Sequence, residues 1–161
     1  MPGHRLIRAS QKIIHYRLKN VEILDCSAAD IPLPDQHADL VVSNLGINNF
    51  EDPNTLFREC YRILKPGGRL ALTTNLNGYW KLFYDIFYET LRALDKQELI
   101  PALQHEGAHR GTKDAVAALF AQNGFEFTRC EEEQFDMRFL DGTAFLNHHF
   151  VKLGWLGSWM S

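Results

Sequence analysis

The sequence predicts an α/β fold: a partial doubly wound sheet, mostly parallel, with an antiparallel strand near the C-terminus. Three observations predict it. Continuous apolar runs such as "ADLVVSN" at 38–44 mark strands buried on both faces of a parallel sheet. Helical patterns with clear start and stop signals alternate with those runs. Near residues 125–139, two strand patterns follow each other with no helix between them, as in an antiparallel pair.

The first predicted helix spans roughly residues 5–18, with Leu6, Ile7, Ile13, Ile14 and Leu18 as its core stripe. Arg5, Arg8, Lys12, Arg17 and Lys19 all precede the first acid, Glu22. A basic, acid-free start has the composition of an organelle transit peptide, but the apolar stripe favours a packed helix with a solvated basic face. "VEILD" at 21–25 is a short strand, and "IPLPDQH" at 31–37 a loop punctuated by prolines. After the strand at 38–44, "EDPNTLFRECYRILKPGG" is a helix. Asp52 caps it and Pro53 takes its first position. Leu56, Cys60 and Ile63 or Leu64 supply the buried stripe. Lys65 suits the negative C-terminal end, and Pro66-Gly67-Gly68 stops the helix.

"RLALTTN" at 69–75 is a third buried strand. The aromatic helix "GYWKLFYDIFYETLRAL" follows, in which Tyr79, Trp80, Phe83, Tyr84 and Phe87 read as a core stripe. Thr112 caps the next helix, which Asn123-Gly124 ends. Strands at 125–131 and 133–139 and an amphipathic helix, "TAFLNHHFVKLGWL", complete the pattern.

With 161 residues and 45% hydrophobic content, the prior is one domain with one sizeable core, spanning 1–161. A net charge of −3 gives no reason to expect a nucleic-acid partner. No apolar run is long enough to span a membrane, and there is no secretory h-region, so no membrane partner is expected. Cys26, Cys60 and Cys130 are odd in number and far apart, which suits reduced thiols in the cytoplasm.

"HEGAH" at 105–109 spells H-E-x-x-H, the pattern of two zinc-binding histidines with a glutamate base. A zinc site of that kind needs an uninterrupted helix, a third ligand and an open coordination position. Here Gly107 lies inside the segment, Gly111 lies just beyond it, and Thr112 is placed to cap a new helix. The stretch reads as a helix end and a connection, so no metal is expected. His148 and His149 are adjacent and point to different faces of the last helix, which does not suit one metal either.

The block "LKNVEILDCSAADIPLPDQHADLVVSNLGINNFEDPNTLFRECYRILKPGGRLALTTN" resembles the second half of a class I S-adenosylmethionine-dependent methyltransferase, of the ubiquinone/menaquinone-biosynthesis-like branch. The resemblance is close over residues 18–75 and weak beyond, and it implies a Rossmann-like sheet. Ligands in such sheets sit outside the carboxyl ends of the strands. Carried over by position, Ser27 and Ala28 face the adenine, and Asn44, Leu45 and Gly46 line the wall near the sulfonium. The family often has an aspartate where Ser27 stands, and an uncharged acceptor makes a weaker bond to the adenine amine. His105, His109 and the aromatics from Tyr79 to Phe87 fall in a region that contributes to substrate selection in the family.

The family's opening strand, glycine-rich turn and ribose-gripping acid have no counterpart, since no two glycines here are spaced by one residue. The resemblance therefore implies a domain lacking about its first third. It also implies that "VEILD" loses the two strands that separate it from "ADLVVSN". Association repairs such an edge, and a symmetric homodimer is the expectation. A local alternative moves "VEILD" beside "ADLVVSN", with twelve connecting residues that barely reach.

The expected function is methyl transfer from S-adenosylmethionine to a small-molecule acceptor, with weak or absent cofactor binding by this chain alone. No catalytic base stands out. The alternative is a non-catalytic α/β remnant that acts as a binding or self-association module.

Overall fold

In the computed structural model the described residues are 3–47, 50, 52–107 and 111–152; the side chains of 3–5, 106, 107 and 150 are not described. His109, Asn48, Asn49 and the end of the last predicted helix lie outside them. The chain divides into two compact units, 1–127 and 128–161.

In the first unit, helix α1 (Gly3–His15) precedes strand β1 (Ala38–Asn44), helix α2 (Pro53–Ile63) and strand β2 (Leu64–Thr73). Helices α3 (Lys81–Ala93), α4 (Ile100–Gly107) and α5 (Lys113–Gln122) complete it. The sheet described has two strands, β1 and β2, paired in parallel with Leu40 opposite Arg69 and Asn44 opposite Thr73. A parallel pair needs a crossover, and α2 supplies it.

The capping signals of α2 act as the sequence implies. The Asp52 carboxylate accepts the Asn54 amide at 3.0 Å and the Thr55 hydroxyl at 2.5 Å, with Pro53 at the first helical position. The stop differs. The helix ends at Ile63, and Leu64 is already extended and paired with Ala38. The register runs from Ala38–Leu64 to Leu40–Arg69, so Lys65 to Gly68 bulge out of β2 instead of closing the helix. Gly67 takes φ +78°, and a Cβ on Gly68 would lie 2.9 Å from the Lys65 carbonyl oxygen. Only glycine suits both positions. Lys65 pairs with Asp39 at 2.9 Å, away from the helix end.

The core of this unit is Ile47, Leu56, Phe57, Cys60 and Phe120, with Val41, Leu70, Leu72, Val116 and Phe125 packed around it. Phe57 is its centre, 1% exposed, with Phe120 edge-to-face at 5.0 Å. Thr112 caps α5 by accepting the Ala115 amide. Helices α2 and α5 both contribute to this core, which Val41, Leu70 and Leu72 meet from one face of the sheet. Residues of a strand alternate between faces, which places Leu40, Val42 and Ala71 on the other. Leu40 and Val42 are 55% and 67% exposed, so β1 is buried on one face only and not on both.

Three expected strands are absent among the described residues. "VEILD" is irregular, with Val21 and Leu24 exposed. Its apolar character did not suffice, because a strand's backbone groups need a neighbour and none lies beside it. The local pairing of "VEILD" beside "ADLVVSN" is therefore not seen. Residues 125–139 likewise form no ladder. Glu131-Glu132-Glu133 sits where a hairpin would turn, and it offers none of the residues that two-residue turns need.

In the second unit, α6 (Gly142–Asn147) is capped by Asp141, which accepts the Ala144 amide at 2.7 Å. The predicted last helix breaks at His148, whose ψ of 134° is extended, and α7 (His149–Val151) follows it. Phe139 packs edge-to-face on Phe145 and His148.

The loop before β1 is held by α2. The Arg62 guanidinium donates to both Glu59 oxygens, to Asp35 and to the carbonyls of Leu33 and Ile31, at 2.7–2.9 Å. Glu59 also accepts the Ile31 amide at 2.7 Å. The Gln36 and His37 amides donate to the carbonyls of Arg62 and Ile63, which pairs helix-end acceptors that would otherwise be orphaned. The Arg62 hydrogen bonds, aided by the Ile31 amide and opposed by burial, hold the Glu59 carboxyl down at about 2, from an ordinary value of 4.5. A depressed folded value stabilises the fold above the unfolded one, and that stabilisation is lost as pH falls from about 4.5 toward 2. Glu59→Gln is expected to lower stability by about 1–2 kcal/mol at pH 7. Urea titrations at several pH values check this, with the gap to the parent chain narrowing across that acidic window.

Candidate functional site

The candidate site lies at the carboxyl end of β1 and in the turn at Ser27. Ser27 is exposed; its hydroxyl oxygen accepts the Ala29 amide at 3.2 Å and its carbonyl accepts the Asp30 amide at 3.0 Å. This tight turn presents the serine edge outward. Ala28 is half-buried and packs on the core cluster that contains Ile47. Ile47 follows Asn44-Leu45-Gly46 directly, so both stretches carrying candidate residues are anchored on one cluster.

At the strand end, the Thr73 hydroxyl donates to the Asn44 side-chain oxygen at 2.5 Å. The Leu45 amide donates to the Thr73 carbonyl at 3.1 Å and to its hydroxyl oxygen at 3.2 Å. Leu45 has φ 57°, a left-handed conformation uncommon for leucine and of the kind that clusters at functional sites. A Cβ on Gly46 would lie 2.7 Å from the Ser43 hydroxyl oxygen, so a side chain here would require the Ser43 hydroxyl to turn away. The sequence reading did not single out Thr73. Its place at the end of β2, opposite Asn44, is the signal that could have found it.

The residues present suit two parts of S-adenosylmethionine. Ser27 and Asn44 offer exposed polar groups, and the bare Gly46 backbone allows close approach. Nothing in the sequence supplies the glycine-rich turn or the ribose-gripping acid. Thiol chemistry finds no support at Cys60, since burial pushes its pKa up to about 11 and leaves it protonated at neutral pH.

The other candidates lie elsewhere. Helix α4 is described as far as Gly107, His109 of "HEGAH" lies outside the described residues, and those described contain no cluster of three or more metal-ligating side chains. Tyr79, Trp80, Phe83, Tyr84 and Phe87 are half-buried and pack on one another, with Phe83 and Phe87 stacked at 5.7 Å. Phe83, Tyr84 and Phe87 lie on α3, whereas Tyr79 and Trp80 precede it and Trp80 is left-handed at φ 61°, so the expected helix starts later than its aromatic run. No described helix is long and apolar enough to cross a membrane.

A family model described as "Methyltransferase domain" matches residues 4–72. The demethylmenaquinone methyltransferase of Geobacillus sp. (strain WCH70) is 32% identical over 124 residues, covering 71% of this chain and 53% of that protein. That of Listeria monocytogenes serotype 4a (strain HCC23) is 28% identical over 128 residues, covering 74% and 54%. A ubiquinone/menaquinone biosynthesis C-methyltransferase of Psychromonas ingrahamii is 37% identical over 71 residues, covering 42% of this chain and 28% of that protein. The chain thus spans about half the length of the first two relatives. A solved methyltransferase structure from Bacillus halodurans C-125 shares the fold, with a TM-score of 0.54 and 24% identity over 75% of this chain and 48% of its own. The motif block, the parallel strand pair joined by a capped helix and these similarities together support a class I S-adenosylmethionine-dependent methyltransferase of the ubiquinone/menaquinone-biosynthesis-like branch.

Proposed function

We propose that the chain serves S-adenosylmethionine-dependent methyl transfer to a small-molecule acceptor, a quinone precursor of the kind its relatives' names describe. The observation that carries this reading is the turn at the end of β1, where Leu45 is left-handed and Gly46 is bare. In this reading Ser27 and Ala28 face the adenine, and Asn44, Leu45 and Gly46 line the methionine side. Bound there, the cofactor supplies the methyl group for in-line displacement by the acceptor. The chain's part is alignment and exclusion of water, with no side chain assigned as base. Residues 1–161 act as one methyltransferase domain, and the free thiols Cys26, Cys60 and Cys130 suit a cytoplasmic setting.

Without a glycine-rich turn or a ribose acid, the isolated chain is expected to bind the cofactor weakly. Titration with S-adenosylhomocysteine, followed by amide chemical shifts, checks both affinity and site. The expected result is a dissociation constant well above the micromolar range, with shifts confined to residues 27–29 and 44–46. A micromolar or tighter constant defeats the expectation of weak binding. Shifts elsewhere, or none at these positions, defeat the site assignment.

A second reading concerns assembly. The outer edge of β1 has no ladder partner among the described residues, and the face carrying Leu40 and Val42 is exposed. Such an edge is a template for pairing, and a symmetric homodimer covers it with a second copy. Light scattering at micromolar concentration is expected to give twice the 18.5 kDa of one chain. A monomeric mass with cooperative unfolding contradicts the dimer.

A further inference from the structure

We propose that Thr73 is the positioning residue of the β1 turn, and that it sets which chemical group the turn presents to a ligand. This rests on the cofactor-site reading above, which includes Asn44 but assigns Thr73 no role. Thr73 ends β2 directly opposite Asn44 in the register. Its hydroxyl has one proton to donate and lone pairs to accept with. The Leu45 amide occupies the oxygen as a donor, which leaves the hydroxyl proton for the Asn44 side-chain oxygen, 2.5 Å away.

Two consequences follow from this chain of hydrogen bonds. The Leu45 amide is shared between the Thr73 carbonyl and hydroxyl, which helps to hold this leucine in its left-handed conformation. The Asn44 amide is also oriented: its oxygen is engaged by Thr73, so its two N–H donors are the group left to face a ligand. A turn that offers N–H donors recognises an oxygen acceptor, either the carboxylate of the cofactor's methionine part or a carbonyl oxygen of the acceptor.

The test compares the parent chain with Thr73→Val and Thr73→Ser by NMR. Thr73 is exposed at a strand end, so valine is expected to leave the fold intact, with unchanged protection at the Val42 and Leu70 amides as the control. Should valine disturb those amides, Thr73→Ala takes its place. The expected result has three parts. Exchange of the Leu45 amide quickens about tenfold in the valine variant, the Asn44 side-chain amide resonances shift, and serine restores both. S-adenosylhomocysteine binding weakens severalfold in Thr73→Val and recovers in Thr73→Ser, whereas the analogue lacking the carboxylate binds the parent and valine chains alike if that carboxylate is the oxygen recognised. Unchanged binding of both analogues in Thr73→Val, together with weaker binding of a naphthoquinol, assigns the oxygen to the acceptor. Unchanged Leu45 exchange and unchanged Asn44 resonances in the valine variant overturn the proposal. If the parent chain shows no response to S-adenosylhomocysteine, the cofactor-site reading fails, and the Leu45 and Asn44 signals still decide the role of Thr73.

Discussion

Arg62 and Glu59, one turn apart on α2, determine where the first strand begins. All five N–H donors of the Arg62 guanidinium are used: two on Glu59, one on Asp35, and one each on the carbonyls of Leu33 and Ile31. Glu59 closes the arrangement by accepting the Ile31 amide. A loop with two prolines has few backbone donors of its own and cannot organise itself by turns alone. The ion pair gives it an external frame, and the chain leaves that frame at Ala38 in register with Leu64. The pair is partly buried, with Glu59 11% and Arg62 33% exposed, so these hydrogen bonds are less screened than those of a surface bridge.

From that frame the candidate site follows geometrically. The loop delivers β1 alongside β2, α2 and α5 cover one face through Phe57 and Phe120, and the strand ends bring Asn44 beside Thr73. The core cluster then links Ile47, just beyond the turn, to Ala28, just beyond Ser27. Position at the carboxyl end of a parallel strand, a bare glycine and a left-handed leucine coincide at the one place where sheets of this type bind ligands. The opposite sheet face, with Leu40 and Val42, and the unpaired edge of β1 have no such use within the described residues.

What was legible in the sequence was local. Asp52 and Pro53 start α2, Thr112 starts α5, and "ADLVVSN" is a strand, because each signal is carried by residues next to the backbone it acts on. "VEILD" and residues 125–139 read as strands but are not, because a strand depends on a neighbour that its own residues do not specify. Pro66-Gly67-Gly68 reads as a helix stop, but the same residues serve a bulge, and only the pairing of Leu64 with Ala38 distinguishes the two. At the site, the family resemblance indicated Asn44 to Gly46. Thr73 escaped notice because its role depends on a partner twenty-nine positions away, across the strand pair. The Glu59–Arg62 clamp escaped for the same reason, since an i,i+3 pair on a helix looks like a surface bridge until the loop that it holds is seen.

The claim that the clamp organises the loop and the start of β1 is tested most directly by Arg62→Lys. Lysine keeps the charge but has three donors on one nitrogen, and it cannot span Glu59, Asp35 and two carbonyls at once. Amide hydrogen exchange at Ile31, Gln36 and His37 is the measurement, with Val42 as the reference within β1. The account predicts that all three loop amides lose protection together in Arg62→Lys, although Gln36 and His37 donate only to backbone carbonyls of α2, while Val42 changes less. Gln36 and His37 keeping the parent chain's protection while Ile31 alone opens would contradict it, and would place the organisation of the loop in the backbone rather than in the clamp.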